Sequence, residues 1–254
     1  MKIVVIGGSG LIGSRVVQRL SAEGHQVVSG SPKSGVNSVT GEGLAETLKG
    51  AAVLVDVSNS PSFDDAPVME FFQKSTRNLV AAAKAAGIGH YVALSVVGTD
   101  RLLSSGYFRA KMVQETMIKE SSIPYSIVRA TQFYEFVNSI VEFSTVGEAI
   151  RVAPILIQPM AAADVSQAVG DVALGKPLNG TLEVGGPKAY QMAELVKLAL
   201  GSRAAQREVI IDPKMGYFGA EASERTIVPD AGAKLSSKSY EDWLSQQQAA
   251  AAAR

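Results

Sequence analysis

Hydrophobic positions in the first half of the chain fall into two kinds of pattern. Short continuous apolar runs predict buried strands at residues 2–6, 25–29, 52–57, 91–95 and 125–129. Apolar residues at helical spacing predict helices at 11–23, 43–48, 68–86 and 107–121. Strands that alternate with helices are typical of βαβ units. The pattern therefore predicts a doubly wound α/β fold with a parallel sheet.

The pattern is looser after residue 130. Helices are predicted at 132–146, 163–174 and 189–200, and strands at 148–154 and 181–184. Signals beyond residue 203 are mixed, and the tail at 246–254 is expected to fray. We predict a single domain over residues 1–254. Within it, residues at about 132–160 and 185–245 are expected to form a small C-terminal substrate lobe.

Composition narrows the possible partners. Lys+Arg and Asp+Glu both number 24, so the formal net charge is zero and no basic excess favours nucleic acid or anionic lipid. The chain has no Cys and only two His, which argues against a thiolate nucleophile and a structural metal. No apolar run is long enough for a signal peptide or a membrane span. We expect a cytoplasmic protein with a small-molecule substrate, and leave its oligomeric state open.

A glycine-rich loop joins the first predicted strand to the first predicted helix. Gly7 would permit the turn, Gly10 would let a pyrophosphate approach the backbone, and Gly13 would let the helix pack closely. The N-terminus of the helix would offer N–H groups to the phosphates. The alternative is a purely structural turn. The spacing favours dinucleotide binding in a Rossmann fold, with contacts from Gly7, Ser9, Gly10, Leu11, Ile12 and Gly13.

The end of the second predicted strand indicates which dinucleotide binds. An acid there would bind the ribose hydroxyls of NAD, but no acid lies between His25 and Glu42. Ser31 and Lys33 instead offer a hydroxyl and a cation for a 2′-phosphate, which favours NADP(H) over NAD. An ordinary polar loop is the alternative. At the end of the third strand, Ser58 and Asn59 are further candidate cofactor contacts.

The stretch SSGYFRAKMVQE contains Tyr107 and Lys111, which share a helix face at i and i+4. A nearby ammonium would lower the pKa of a phenol and improve proton transfer to or from a substrate oxygen. Ser95, at the end of a predicted strand, has a hydroxyl that could bind the same oxygen. The alternative is a solvated stripe made of Tyr107, Lys111 and Glu115.

These residues carry a family resemblance. GGSGLIG (7–13), ALSVVG (93–98), YFRAK (107–111) and IVRATQF (127–133) resemble an atypical short-chain dehydrogenase/reductase of the NmrA-like, NADP(H)-binding branch, over roughly residues 1–200. The resemblance implies that Tyr107 is the general acid/base, that Lys111 binds the nicotinamide ribose, and that Ser95 positions a substrate carbonyl. One departure is Phe72, which stands where the family often has an Asn. Another is that many relatives lose the Tyr or act as nucleotide sensors.

Aromatic residues after the fifth strand suggest the substrate class. Phe133 and Tyr134 are candidate walls of a pocket, or alternatively part of a hydrophobic helix face. An apolar pocket would suit a carbonyl, quinone or enone. The leading hypothesis is therefore an NADPH-dependent reductase. A non-catalytic NADP(H) sensor that binds a protein partner is the second hypothesis. An epimerase or dehydratase that holds NAD is less favoured, because no acid follows the second strand.

Overall fold

The computed structural model describes residues 1–252, except for the side chains of residues 202, 203 and 205. Eight α-helices are α1 (Leu11–Ala22), α2 (Leu44–Leu48), α3 (Asp65–Ala86), α4 (Gly106–Lys119), α5 (Val137–Phe143), α6 (Ala162–Leu174), α7 (Met192–Leu200) and α8 (Tyr240–Ala252) within this described part. Its strands are β1 (Lys2–Ile6), β2 (Gln26–Gly30), β3 (Val53–Asp56), β4 (His90–Val96), β5 (Tyr125–Ala130), β6 (Thr145–Val146), β7 (Ala149–Val152), β8 (Leu156–Ile157), β9 (Gly180–Gly185), β10 (Tyr190–Gln191), β11 (Val209–Ile211) and β12 (Lys234–Leu235).

A seven-stranded parallel sheet forms the centre of the fold, in the order β12-β9-β5-β4-β3-β1-β2. Strand β1 pairs in parallel with β2 on one side and β3 on the other, with Ile6 opposite Gly30 and Asp56. The helices that connect these strands flank the sheet, as parallel pairing requires. The predicted doubly wound Rossmann fold is confirmed.

The chain divides into two compact units, the first of which contains Met1–Ala130 and Ala163–Leu182. Strands β1, β3, β4 and β5 are mostly apolar and mostly buried, and β3 is buried at every position, whereas β2 at the edge of the sheet is only partly buried. Helix α3 ends at Gly87, which adopts the left-handed conformation with φ 67° and donates its N–H to Lys84. The core of this unit contains apolar residues from the sheet and from α2, α3 and α4, such as Val4, Leu48, Leu79, Tyr91 and Ile118.

The second unit contains Thr131–Ala162 and Glu183–Arg254. It has a three-stranded sheet in the order β11-β7-β6, and a packed group of Tyr134, Tyr240 and Trp243 whose ring centroids lie 5.2 to 5.8 Å apart. Its residue ranges are similar to those predicted for the substrate lobe. The assignment of that lobe, and of residues 1–254 as a single domain, stays a prediction.

Two sequence-based expectations for this second unit are corrected. The helix predicted at 132–146 is shorter, because Tyr134–Phe136 form a 3₁₀ turn and only Val137–Phe143 are α-helical. The tail does not fray at residue 246, since α8 continues to Ala252. Buried Tyr240 anchors the start of α8, and its Gln and Ala residues favour helix. Residues 253 and 254 lie outside the described part.

The helices differ widely in length and polarity. Over residues 1–252, none of them is both long enough and apolar enough to span a membrane.

Candidate functional site

The glycine loop has the geometry that its spacing predicts. Gly7 turns the chain off β1 with φ 80°, and its N–H donates to the Gly30 carbonyl at 2.9 Å. A Cβ at Gly13 would lie 2.7 Å from the Cα of Gly8 and still closer to the Gly7 carbonyl oxygen. Helix α1 therefore lies against the loop, and only glycine fits at position 13 without a shift.

The first turn of α1 is suited to an anion. Gly10 is its N-cap and has no side chain to accept a hydrogen bond from the first N–H groups, and the turn contains no acid. Ser9 and Gly10 are exposed at the crest of the loop, whereas Ile12 and Gly13 are buried. Free N–H groups and the positive end of the helix dipole favour a phosphate there. These residues fit the pyrophosphate of a dinucleotide.

A 3₁₀ turn, Pro32–Ser34, follows β2 at the predicted 2′-phosphate position. The Ser34 hydroxyl accepts the Ser31 N–H at 2.9 Å and lies 3.1 Å from the Ser29 carbonyl, to which it can donate. Ser31 is buried, but Lys33 is exposed. Lys33 is consequently the side chain of this turn that can meet a ligand charge from solvent.

The loop that follows this turn is fastened to α3. The side-chain amide of Asn78 donates to the carbonyls of Ser38 and Val39, both at 2.9 Å. Asn78 therefore has a structural function in the loop between β2 and α2. No sequence pattern indicates this contact, because the residues are about 40 positions apart in the chain.

Ser58 adjoins the glycine loop. A Cβ at Gly7 would lie 2.9 Å from the Cα of Ser58, so the two backbones are in close contact. The Ser58 hydroxyl donates to Asp56 at 2.6 Å, and its N–H donates to the same carboxylate oxygen at 3.0 Å. Asn59 is exposed beside it. The structure thus brings Gly7 and Ser58 together at the carboxyl edge of the sheet, where cofactors bind in this fold class.

Lys111 is buried, with only 2% of its surface exposed. Its ammonium donates to the Leu94 carbonyl at 2.9 Å and to the side-chain oxygen of Gln114, and lies 4.6 Å from the centre of the Phe72 ring. Burial lowers the pKa of Lys111 to about 8, although the charges of Asp56 and Glu115 oppose that shift. Near neutral pH the side chain is mostly charged.

Tyr107 lies among aromatic rings at the start of α4. Its ring centroid is 5.3 Å from that of Phe63 and 6.3 Å from that of Phe72. Burial raises the pKa of Tyr107, so the expectation that Lys111 lowers this pKa is wrong in direction. Desolvation of the phenolate dominates here. The charged groups that interact most with Lys111 are Asp56 and Glu115.

Ser95 belongs to a buried ionic network. Its hydroxyl donates to Glu115 at 2.7 Å, and the same carboxylate receives two hydrogen bonds from Arg129, both at 2.9 Å. Arg129 also pairs with Asp100 at 2.8 Å. Burial alone would raise the pKa of Glu115, but the bonds from Arg129 and Ser95 lower it overall. A solvated stripe of Tyr107, Lys111 and Glu115 is therefore excluded, since Glu115 is only 1% exposed.

The two candidate substrate contacts lie in the second unit. Tyr134 is buried, and its hydroxyl donates to the Lys238 carbonyl at 2.8 Å. Phe133 is half-buried and stacks on Phe136 at 5.7 Å. These contacts account for Tyr134 through packing within that unit. Substrate binding by Phe133 and Tyr134 stays a prediction.

Sequence patterns do not predict the polar residues that surround Lys111. They give no role to Gln114, place Glu115 on the surface and place Arg129 only within a strand. A signal was present, because Arg129 is the charged residue in a buried strand, and an Arg there needs a buried acid. Gln114 and Glu115 follow Lys111 by three and four positions, which places all three on neighbouring parts of the helix surface.

Comparison with known proteins agrees with this geometry. Residues 7–168 match the family model described as NAD(P)H-binding. The Photosystem II assembly factor Ycf39 of Cyanophora paradoxa is 30% identical over 149 residues, covering 53% of this chain and 46% of that protein. The chloroplastic divinyl chlorophyllide a 8-vinyl-reductase of Arabidopsis thaliana is 25% identical, covering 91% of this chain and 65% of that protein.

Among solved structures, dTDP-4-dehydrorhamnose reductase of Bacillus anthracis in complex with NADP has a TM-score of 0.72 at 17% identity, covering 96% of each chain. The chain belongs to the NAD(P)H-binding family, which agrees with its resemblance to the atypical, NmrA-like short-chain dehydrogenases/reductases. The cofactor of this family is a nicotinamide dinucleotide. The chain spans about half to two thirds of the length of the two curated relatives.

Proposed function

We propose that the protein is an NADPH-dependent reductase of a small apolar carbonyl, quinone or enone. The observation that carries the proposal is the buried Lys111 ammonium next to β4, in a chain whose glycine loop fits a dinucleotide. The Arabidopsis relative, which is named a reductase, supports the same reaction class. When bound, the nicotinamide supplies the hydride.

NADPH is preferred over NADH because of the turn that follows β2. Lys33 is exposed there and can pair with a 2′-phosphate, and no acid between His25 and Glu42 would repel it. The solved structure from Bacillus anthracis contains NADP, which supports this choice for a related fold. Gly7, Ser9, Gly10, Leu11, Ile12 and Gly13 would hold the pyrophosphate, and Ser58, Asn59 and Lys111 would line the nicotinamide side.

Tyr107 would supply the proton. The phenol is protonated at neutral pH, which is the form that a general acid needs in a reduction, although burial raises its pKa and makes it a weaker acid than an exposed phenol. The reverse reaction needs a phenolate base and is disfavoured by the same burial. Lys111 would bind a cofactor oxygen, and Ser95 would orient the substrate carbonyl if its hydroxyl turned from Glu115.

The test is NADPH oxidation measured against a panel of apolar carbonyls, quinones and enones, with NADH as the control cofactor. We expect turnover with NADPH, and a fall of about a hundredfold in kcat for Tyr107→Phe, within the usual range for a general acid. Turnover at the parent rate in Tyr107→Phe would remove the acid role. Equal use of NADH would overturn the assignment of Ser31 and Lys33.

A second candidate is a non-catalytic NADP(H) sensor that binds a protein partner. The observation that favours it is the engagement of the Ser95 hydroxyl by Glu115, which occupies a group that catalysis would need. The Cyanophora relative is named an assembly factor, a role that does not require turnover. This candidate predicts NADPH binding without oxidation across the whole panel, and a partner contact whose affinity differs between NADP⁺ and NADPH.

A further inference from the structure

A chain of polar side chains crosses the interior of the first unit from β3 to α4. Ser58 donates its hydroxyl to Asp56 at 2.6 Å, the Gln114 amide donates to the other oxygen of Asp56 at 2.9 Å, and Lys111 donates to the Gln114 oxygen. One end of this chain adjoins the glycine loop, and the other end is the Lys111 ammonium.

The Asp56 carboxylate is completely buried and is well supplied with donors. It accepts hydrogen bonds from the Ser58 N–H and hydroxyl, from the Tyr91 hydroxyl at 3.3 Å and from Gln114. A buried carboxylate is costly without such donors and without a compensating cation. The charge of Lys111 interacts favourably with that of Asp56, and Gln114 connects the two.

The Lys111 ammonium has three N–H donors. In the part of the chain that the structure describes, Leu94 and Gln114 accept two of them, and no third acceptor contacts the ammonium. The Phe72 ring covers another side of the ammonium at 4.6 Å. The third N–H therefore has no hydrogen-bond acceptor among these residues, and its direction is fixed by the two bonds that the ammonium makes to Leu94 and Gln114.

We propose that Gln114 and Asp56 are positioning residues, which hold the Lys111 ammonium so that its remaining N–H can bind an oxygen of the nicotinamide dinucleotide. The inference rests on the proposed function, in which Lys111 contacts the cofactor. Gln114 suits this task because its amide accepts from the ammonium with one atom and donates to the carboxylate with the other. A carboxylate at position 114 would meet Asp56 as a like charge, and an apolar residue would break the chain.

The first measurement is the dissociation constant of NADPH, determined by calorimetry for the full chain. Gln114→Met and Asp56→Asn are each expected to raise the NADPH dissociation constant about tenfold. Each variant loses or weakens a hydrogen bond that holds the Lys111 ammonium in position. Glu70→Gln is the matched control for removal of a carboxylate, since Glu70 lies on the exposed surface of α3 and pairs only with Lys74 among the described residues. It should bind NADPH like the parent.

The second measurement is rescue by exchange of the two polar groups, in the double variant Asp56→Asn with Gln114→Glu. The amide introduced on β3 can donate to the carboxylate introduced on α4, and that carboxylate can accept from Lys111. The charge of the pair is preserved. The exchange should restore NADPH affinity to within about threefold of the parent, whereas Gln114→Glu alone should not. If Asp56→Asn does not fold, Gln114→Met and the exchange still decide the question.

The third measurement separates positioning from general support of the fold. In a Lys111→Met background, Gln114→Met should change the NADPH dissociation constant by less than about twofold, because there is no ammonium left to position. The same tenfold loss in that background would overturn the inference, as would failure of the exchange to restore binding. Parent-like binding in Lys111→Met would instead remove Lys111 from the proposed function. If Lys111→Met binds weakly but Gln114→Met and Asp56→Asn bind like the parent, the inference alone is overturned.

Discussion

The glycine loop and the Tyr107–Lys111 face of α4 are both motif regions, but their contacts differ in kind. In the loop, Gly7 and Gly13 have the geometry that their places in the motif require. On α4, the same spacing that suggests catalysis also serves other contacts: Lys111 donates to Leu94 and Gln114, while Tyr107 packs on Phe63 and Phe72.

The difference follows from what each motif specifies. A glycine motif specifies the absence of a side chain, so a close backbone approach and a left-handed turn are almost its only uses. A Tyr, a Lys and a Ser specify hydrogen-bonding groups, and each of these can find several partners in a folded chain. The function of a side-chain motif can therefore be read only when the neighbouring residues are known. Here those neighbours lie on β3, β4 and β5.

The largest expected effect concerns the α4 side of the comparison. Glu115→Gln should lower the free energy of unfolding by about 3 kcal/mol, because it leaves Arg129 buried with one of its two carboxylate partners neutralised. Urea denaturation followed by circular dichroism measures the change. Glu70→Gln, in the exposed pair with Lys74, should unfold like the parent. Equal behaviour of the two variants would mean that the buried network does not stabilise α4.

The next effect sharpens the loop side. Gly13→Ala should lower the free energy of unfolding by about 2 kcal/mol, since its Cβ overlaps the Gly7 carbonyl and the loop has to shift. Gly89→Ala is the matched control, because its Cβ would meet only the Ala52 carbonyl oxygen at 3.7 Å. The free energy of unfolding of the control should stay within about 0.5 kcal/mol of that of the parent. Similar losses of stability in both variants would show that the close approach of position 13 to the loop backbone does not restrict that position to glycine.

A smaller effect tests the ligand side of the loop. Lys33→Ala should weaken NADPH binding about fivefold and leave NADH binding unchanged, as expected for one exposed ion pair with a phosphate. Lys176→Ala removes another exposed lysine of the first unit and should change neither. Titration calorimetry with both cofactors provides the readout. An equal loss of affinity for NADPH and NADH would show that Lys33 does not bind the 2′-phosphate.

The smallest effect lies at the amino end of β4, opposite the edge where Ser95 lies. His90 bonds the Ser126 hydroxyl at 2.8 Å, and burial lowers its pKa. The folded state therefore prefers neutral His90, and the unfolded chain binds the proton first as pH falls below its ordinary value of about 6.5. The stability that neutral His90 contributes is fully present above pH 6.5. It is lost as the pH falls from 6.5 toward the lower pKa of His90 in the folded protein. Across this pH range, the free energy of unfolding should fall more steeply for the parent than for His90→Gln. Parallel pH dependences of the two proteins would contradict a lowered pKa of His90.

Sequence patterns predicted the first unit well because most of its strands contain a continuous apolar run and its helices have clear ends. Gly87 is an example, since it ends α3 where predicted. The second unit was harder because β8, β10 and β12 are each two residues long, too short for any period. The connection from Gln114 to β3 was hidden for another reason: Asp56 and Gln114 are 58 positions apart, and only the fold brings them together.

The contacts of Asn78 affect where hydrogen exchange can detect ligand binding in this protein. Its amide fastens Ser38 and Val39 to α3, and the amide protons of residues 37, 39, 40 and 41 are themselves hydrogen-bonded within the loop. These protons should exchange about as slowly as those of a helix, although they lie in a connection between secondary-structure elements. Extra protection caused by NADPH should thus be sought in the glycine loop, where a bound phosphate would accept hydrogen bonds from the first N–H groups of α1.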